Sequence, residues 1–346
     1  MTTTTAPTTT AARAEGAVWA RRFRALLGAR IFGLVLGLAI LVAVTTAMNP
    51  RFLSTQSLRD LLLAASITVL LAAGMTMVVL TKGIDLSVGA VLGLSAFGTA
   101  TLLSEYGVAM PVAVVAGIAM GAACGAVNGA LVTLGGVPPL VATLGTLYIF
   151  RGIVYFWAGG SRINASDMPR AFLDFGSGRV LGVPYLALIA LAVAVVVGLY
   201  LSRYRAGRDL YAIGSSPEAA RLAGIPATRR LMTAYVTAGA LAGLGGILYA
   251  ARYGTVDASA GTGLELDIVA AVVVGGVAIF GGSGTVLGAA LGALLLTVIS
   301  NALPTLGIDQ FWQRAIVGAL IIGAIALDRL VALRVAISLR KAHHVG

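Results

Sequence analysis

The stretch from Tyr106 to Phe150, YGVAMPVAVVAGIAMGAACGAVNGALVTLGGVPPLVATLGTLYIF, decides the fold. It carries no charged residue, and neither does a second tract, 268–308. Each tract is about twice the ~20 apolar residues that one helix needs to cross a bilayer. Turn residues break each near its middle: Gly135-Gly136-Val137-Pro138-Pro139 in the first and Gly281-Gly282-Ser283-Gly284 in the second. Proline lacks the amide donor and clashes with the preceding turn, so a helix cannot run through Gly-Gly-x-Pro-Pro. Both tracts read as hairpins of two spanning helices. The fold class is therefore all-α, a polytopic membrane protein.

Composition supports this. The chain is 59% apolar and 11% charged, with a mean hydropathy of +0.97; soluble domains sit near ~25% charged. Its 45 glycines suit close helix–helix approach in lipid. A net charge of +11 suggests nucleic acid in a soluble protein. Here basic residues retained on cytoplasmic loops explain it, no nucleic acid is expected, and membrane lipid is the expected surface partner. Cys124 lies inside an apolar span and reads as a packing residue. With only His343 and His344, both near the end of the sequence, no metal site is expected.

Charge-free runs give ten spans: 31–48, 61–81, 86–103, 110–134, 140–159, 183–202, 231–251, 268–280, 286–303 and 311–327. Placing the N-terminus in the cytoplasm puts sixteen basic residues inside and seven outside, so the expected topology is N-in/C-in. The same reading divides the chain into a disordered basic tail at 1–29, a membrane domain at 30–330 and a cytoplasmic tail at 331–346. Met1 to Thr10 is low in complexity and lacks the pattern of a signal peptide. Two loops exceed hairpin length, an external one at 160–182 and an internal one at 203–230, and such loops are places to look for partners.

The internal loop has the grammar of a short helix pair. Ser215 or Ser216 caps a helix start, Pro217 suits its first turn, Glu218 meets the positive end of its dipole, and Gly224 stops it. Such a helix fits a groove on another protein or lies against anionic lipid.

Four ordered blocks now add a resemblance. Pro217-Glu218-Ala219-Ala220 followed by Gly224 resembles the "EAA" coupling loop of ABC importer permeases. The block Gly83-Ile84-Asp85-Leu86-Ser87-Val88-Gly89 is similar to the signature of ribose-type sugar permeases, as is Thr143-Leu144-Gly145-Thr146 with Phe150-Arg151-Gly152. Gly263 to Ala271 with Gly281-Gly282-Ser283-Gly284 resembles a block shared with branched-chain amino-acid permeases. The resemblance implies a multi-pass permease subunit in a bacterial inner membrane. It also implies three partners: a cytoplasmic ABC ATPase, an extracytoplasmic sugar-binding protein, and a second permease subunit, identical or paralogous. Coupling to the ATPase is carried over onto Pro217, Glu218, Ala219, Ala220 and Gly224. The signature residues Gly83, Asp85, Leu86, Ser87 and Gly89 are assigned to the gate region. No Walker G-x-x-x-x-G-K-[ST] loop occurs in the chain, so ATP is assigned to the partner subunit, and no enzyme activity or cofactor is expected of this one. The Asn301-Ala302-Leu303-Pro304 and Phe311-Trp312-Gln313 stretch looks closer to permeases for rhamnose or autoinducer-2 than to ribose.

Other residues carry two readings each. Lys82 and Asp85 either cap helix ends, or contact the ATPase or shape the inner gate. Arg151, a charge inside a span, either faces the pathway or a subunit interface, or snorkels outward. Glu265 and Asp267, on the periplasmic side, either cap the eighth span or meet the binding protein. Asn128, Thr143 and Asn301 either bond across helices or to sugar hydroxyls. The rival class is an ion-coupled secondary transporter of small polar solutes, which calls for acidic residues inside spans. The ten spans as drawn contain none. A membrane transferase would need clustered carboxylates for a metal, and no such motif occurs.

Overall fold

The computed structural model describes residues 31–309, 311–324 and 326. The expected tails at 1–29 and 331–346, and the end of the last expected span, lie outside the described residues.

Among the described residues, seven helices are long and apolar enough to cross a membrane. They are α1 (Ile31–Met48), α2 (Thr55–Leu80), α4 (Met110–Thr133), α5 (Pro139–Ala158), α7 (Tyr185–Arg203), α10 (Ala227–Tyr253) and α12 (Val286–Thr305). Three apolar helices are shorter: α3 (Val88–Ser104), α11 (Leu264–Val274) and α13 (Trp312–Ala324). The chain is thus an all-α, multi-pass membrane protein. Three more helices lie outside the spans: α6 (Arg170–Ser177), α8 (Arg205–Ser215) and α9 (Pro217–Leu222). A two-residue hairpin, β1 (Arg179–Val180) with β2 (Val183–Pro184), leads into α7.

Local chemistry sets the helix ends. Ser54 accepts the Ser57 amide at the start of α2, and Thr285 accepts the Gly288 amide at the start of α12. The α2 helix starts six residues before the expected span, because Arg59 and Asp60 sit at its solvated end, where charge costs little. There the Arg59 guanidinium donates to the Ser177 carbonyl over 2.8 Å. At the other end, Lys82 takes a left-handed conformation (φ 66°) and the Gly83 amide returns to the Val78 carbonyl, a Schellman stop.

Glycines set the core crossing. On α4, Gly117, Gly121 and Gly125 recur every fourth residue and face α10. A Cβ on Gly121 would strike the Gly239 carbonyl, and one on Gly125 the Tyr235 carbonyl. The two backbones meet because neither has a side chain in the way. The α3 helix is central, buried along nearly its whole length against α4, α5, α10 and α11.

The eighth segment departs from expectation. A helix was drawn at 268–280, whereas α11 starts at Leu264 and ends at Val274, followed by non-helical backbone to Thr285. Eleven residues rise only ~16 Å, about half the bilayer core. Glu265 and Asp267 therefore belong to the first turn of α11, so the apolar helices do contain acidic residues. The reason is the paired glycines: Gly261 and Gly263 have positive φ and let the chain turn into the helix early, while Gly276 ends it.

Candidate functional site

The 203–230 loop folds as α8 and α9. Ser216 caps α9 by accepting the Ala219 amide, Pro217 occupies its first turn, and Glu218 sits at the positive end of its dipole. Ala220 is buried. Gly224 (φ 72°) closes the helix, with the Ile225 amide returning to the Ala220 carbonyl. The unit is anchored to α10 by an ion pair, Arg230 Nε to Asp209 Oδ2 at 2.8 Å. The preceding helix, α8, is set directly on the membrane helices. A Cβ on Gly214 would strike the Leu80 carbonyl at the end of α2, and Ser215 lies against Gly282. The Tyr211 hydroxyl donates to the Gly284 carbonyl over 3.1 Å.

Above this unit, the turn between α2 and α3 is held by buried polar groups. Asp85 Oδ1 accepts the Ser87 amide (2.9 Å) and hydroxyl (2.7 Å). Asn128 on α4 donates to the Ser87 hydroxyl (2.8 Å) and accepts from Thr146 on α5 (2.6 Å). Thr143 donates to the Ile84 carbonyl over 2.9 Å. Asp85, Ser87, Asn128 and Thr143 are thus joined, and the turn is tied to α4 and α5 together. Two signature glycines mark close approach: a Cβ on Gly83 would meet the Tyr235 hydroxyl, and one on Gly89 the Glu265 carboxylate. Leu86 is half-buried beside them.

Arg151 sits elsewhere. Its Nη1 donates to the carbonyls of Ala258 (3.0 Å) and Ala260 (2.7 Å). These belong to the non-helical segment 254–263, which enters the bundle from the face opposite α8–α9. Irregular backbone at membrane depth persists only where its polar groups find partners, and Arg151 supplies them. Glu265 follows on the same segment; its Oε1 accepts the Gly263 amide at 3.2 Å.

A cavity of about 430 Å³ lies between α2, α10, α11 and α12. Asn301 and Asp267 line it; Arg151, Asn128 and Thr143 do not. Residue patterns alone missed Gly214, Tyr235 and the cavity's Tyr249, and they named Thr146 within its block without giving it a role. Only Gly214 carried a signal, a glycine inside a helical pattern. Among the described residues no cluster of His, Cys, Asp and Glu could hold a metal.

Residues 57–325 match the family described as branched-chain amino acid transport system / permease component. The chain is 37% identical over 305 residues to the autoinducer 2 import system permease protein of Enterobacter sp. (strain 638), covering 88% of each. It is 38% identical over 296 residues to the ribose import permease protein of Escherichia coli (strain K12), covering 85% of this chain and 92% of the relative. It is 35% identical over 301 residues to the D-allose transport system permease protein of the same strain, covering 87% and 92%. No solved structure matches the chain significantly. The chain therefore belongs to the branched-chain amino acid transport system / permease component family, alongside the import permeases for ribose and autoinducer 2 and the D-allose transport system permease.

Proposed function

We propose that this chain is the membrane-spanning subunit of an ABC importer that carries a monosaccharide or related polyol into the cell. In this reading ten helices span, with both termini in the cytoplasm, α8–α9 on the cytoplasmic face and the cavity on the outer face. A separate ATPase binds ATP and docks on α9 through Pro217, Glu218, Ala219, Ala220 and Gly224. A second permease subunit completes the path, and an extracytoplasmic binding protein delivers the substrate to the outer face.

One observation carries this reading: α8, which leads into α9, is wedged between the ends of α2 and the 275–285 turn through Gly214 and Ser215. A push on α9 is thereby delivered to two non-helical turns at once, and through them to α3 and α12. Alternating access follows when ATPase closure tilts this unit, with α7 and α10 moving as its attached arms.

A pull-down of the tagged chain from native membranes in mild detergent tests it. A P-loop ATPase should co-purify and be lost in Glu218→Lys. Recovery of the chain alone, under conditions that preserve a known importer complex, would remove the coupling assignment. The placement of Glu265 and Asp267 inside α11 keeps the ion-coupled carrier as the second reading, since acidic groups at membrane depth are what such carriers use. Substrate uptake driven by an ion gradient without ATP would establish it.

A further inference from the structure

Two concavities of the molecule differ in chemistry. One, about 520 Å³ between α2, α7 and α12, is lined by aliphatic residues and Ser66, whose hydroxyl is spent on the Leu62 carbonyl. That groove suits lipid chains. The other is the 430 Å³ cavity that holds Asp267 and Asn301. Its helices place it on the face opposite α8–α9: it takes in the end of α10, the end of α12 and the start of α11.

We propose that this second cavity is a monosaccharide seat within the permease itself, taking one neutral polyhydroxylated ring. The substrate class rests on the importer reading; the recognition chemistry rests on the lining. A sugar ring presents an apolar face of C–H bonds and a rim of hydroxyls, so its seat needs an aromatic face and fixed polar partners. Tyr249 and Tyr253, one helical turn apart on α10, supply the face, their ring centroids 4.5 Å apart. Arg252 lies over the Tyr253 ring at 4.6 Å from its centroid and steadies it.

The polar rim is selective in what it leaves free. Thr297 and Ser300 donate to the carbonyls of Ala293 and Leu296, so their hydrogens are spent within α12. Asn301 donates one amide hydrogen to the Thr297 carbonyl over 2.8 Å, which leaves its Oδ1 as an acceptor and its second amide hydrogen as a donor. Asp267 adds a carboxylate, and Gln313 on α13 an amide. Acceptors of this kind take the hydrogens of adjacent sugar hydroxyls. With one Arg252 against one Asp267, the lining has no net charge, which favours a neutral guest over an ion. The volume lies within the ~300–1,000 Å³ of small-molecule sites. The permease then screens its cargo a second time, after the binding protein.

The test uses the full chain with Cys124→Ser, so that the reporter is its single cysteine, in intact cells. Ser300→Cys is the reporter, because that hydroxyl is committed to its own helix. A membrane-impermeant maleimide should label it, and D-ribose or D-galactose should slow labelling about tenfold when present at ~10 times its dissociation constant. Glycine betaine at equal concentration should have no effect. Tyr249→Ala and, as an isosteric change that spares packing, Asp267→Asn should abolish the protection. A reporter that never labels, labelling unmoved by either sugar, or equal slowing by betaine would overturn the seat. Protection in cells whose permease binds no ATPase would leave the seat standing while the coupling reading falls.

Discussion

The backbone amide of Gly282 donates to the carbonyl oxygen of Leu80 over 2.9 Å, and Gly214 of α8 lies against the same carbonyl. Three segments far apart in sequence thus meet at one backbone oxygen. It is the end of α2, the turn before α12 and the helix that precedes α9. On the coupling reading, this junction is where a force on α9 would reach α2 and the turn before α12, beside the Arg230–Asp209 pair that ties the unit to α10.

Gly214→Ala tests the junction. The added methyl meets backbone on two sides, and overpacking of this kind costs about 1–3 kcal/mol. The expected outcome is a lower melting temperature in detergent and a loss of uptake out of proportion to the loss of protein. Wild-type uptake and melting would show that α8 has room to move away and transmits nothing here.

Lys82→Gly separates capping from gating. Lys82 holds a left-handed φ of 66° with its side chain exposed, a conformation that costs a side-chain-bearing residue about 1 kcal/mol. Glycine adopts it freely, so the variant should be at least as stable as the parent. If uptake is also retained, Lys82 is a helix stop; if uptake falls while stability rises, the ammonium group acts at the gate.

Arg151→Leu should be severe. It strips the carbonyls of Ala258 and Ala260 of their donor, at about 1–3 kcal/mol for each unsatisfied group. Thermal stability should fall and the 254–263 segment should become accessible to protease added from outside. Arg151→Lys should restore part of the stability, since an ammonium can still reach one carbonyl. Unchanged stability and uptake in Arg151→Leu would mean that water replaces the guanidinium without cost.

Much of the chain was legible locally. Gly-Gly-x-Pro-Pro offers no run of helix-compatible residues, so the hairpin at Gly135 to Pro139 could be read directly, and Gly281 to Gly284 could be read as a break though not as the end of a full span. Capping is equally local, which is why Ser216, Pro217 and Gly224 mark out α9 within one residue of its observed end. The start of α11 was not legible in this way: the expected span began where charge stopped, whereas the helix began at Leu264, four residues earlier, with Glu265 and Asp267 in its first turn.

Faces were harder than segments. A helix that is apolar all round carries no periodic signal of which side meets protein and which meets lipid. Hence Asp85, Asn128 and Thr143 could be singled out as polar, but not seen to share one network with Thr146. Arg151 could be recognised as costly, but not paired with carbonyls more than a hundred residues away. By itself the sequence determined that the chain is helical, where most of its helices begin and end to within a few residues, and which loop bears a short capped helix, because hydrophobicity, proline, glycine and caps act over a few residues. The tertiary structure alone decided which of those residues meet at Leu80, around Arg151 and in the tyrosine-lined cavity, because contacts between distant segments depend on how helices cross, and the Gly121–Gly239 crossing is set by three-dimensional fit.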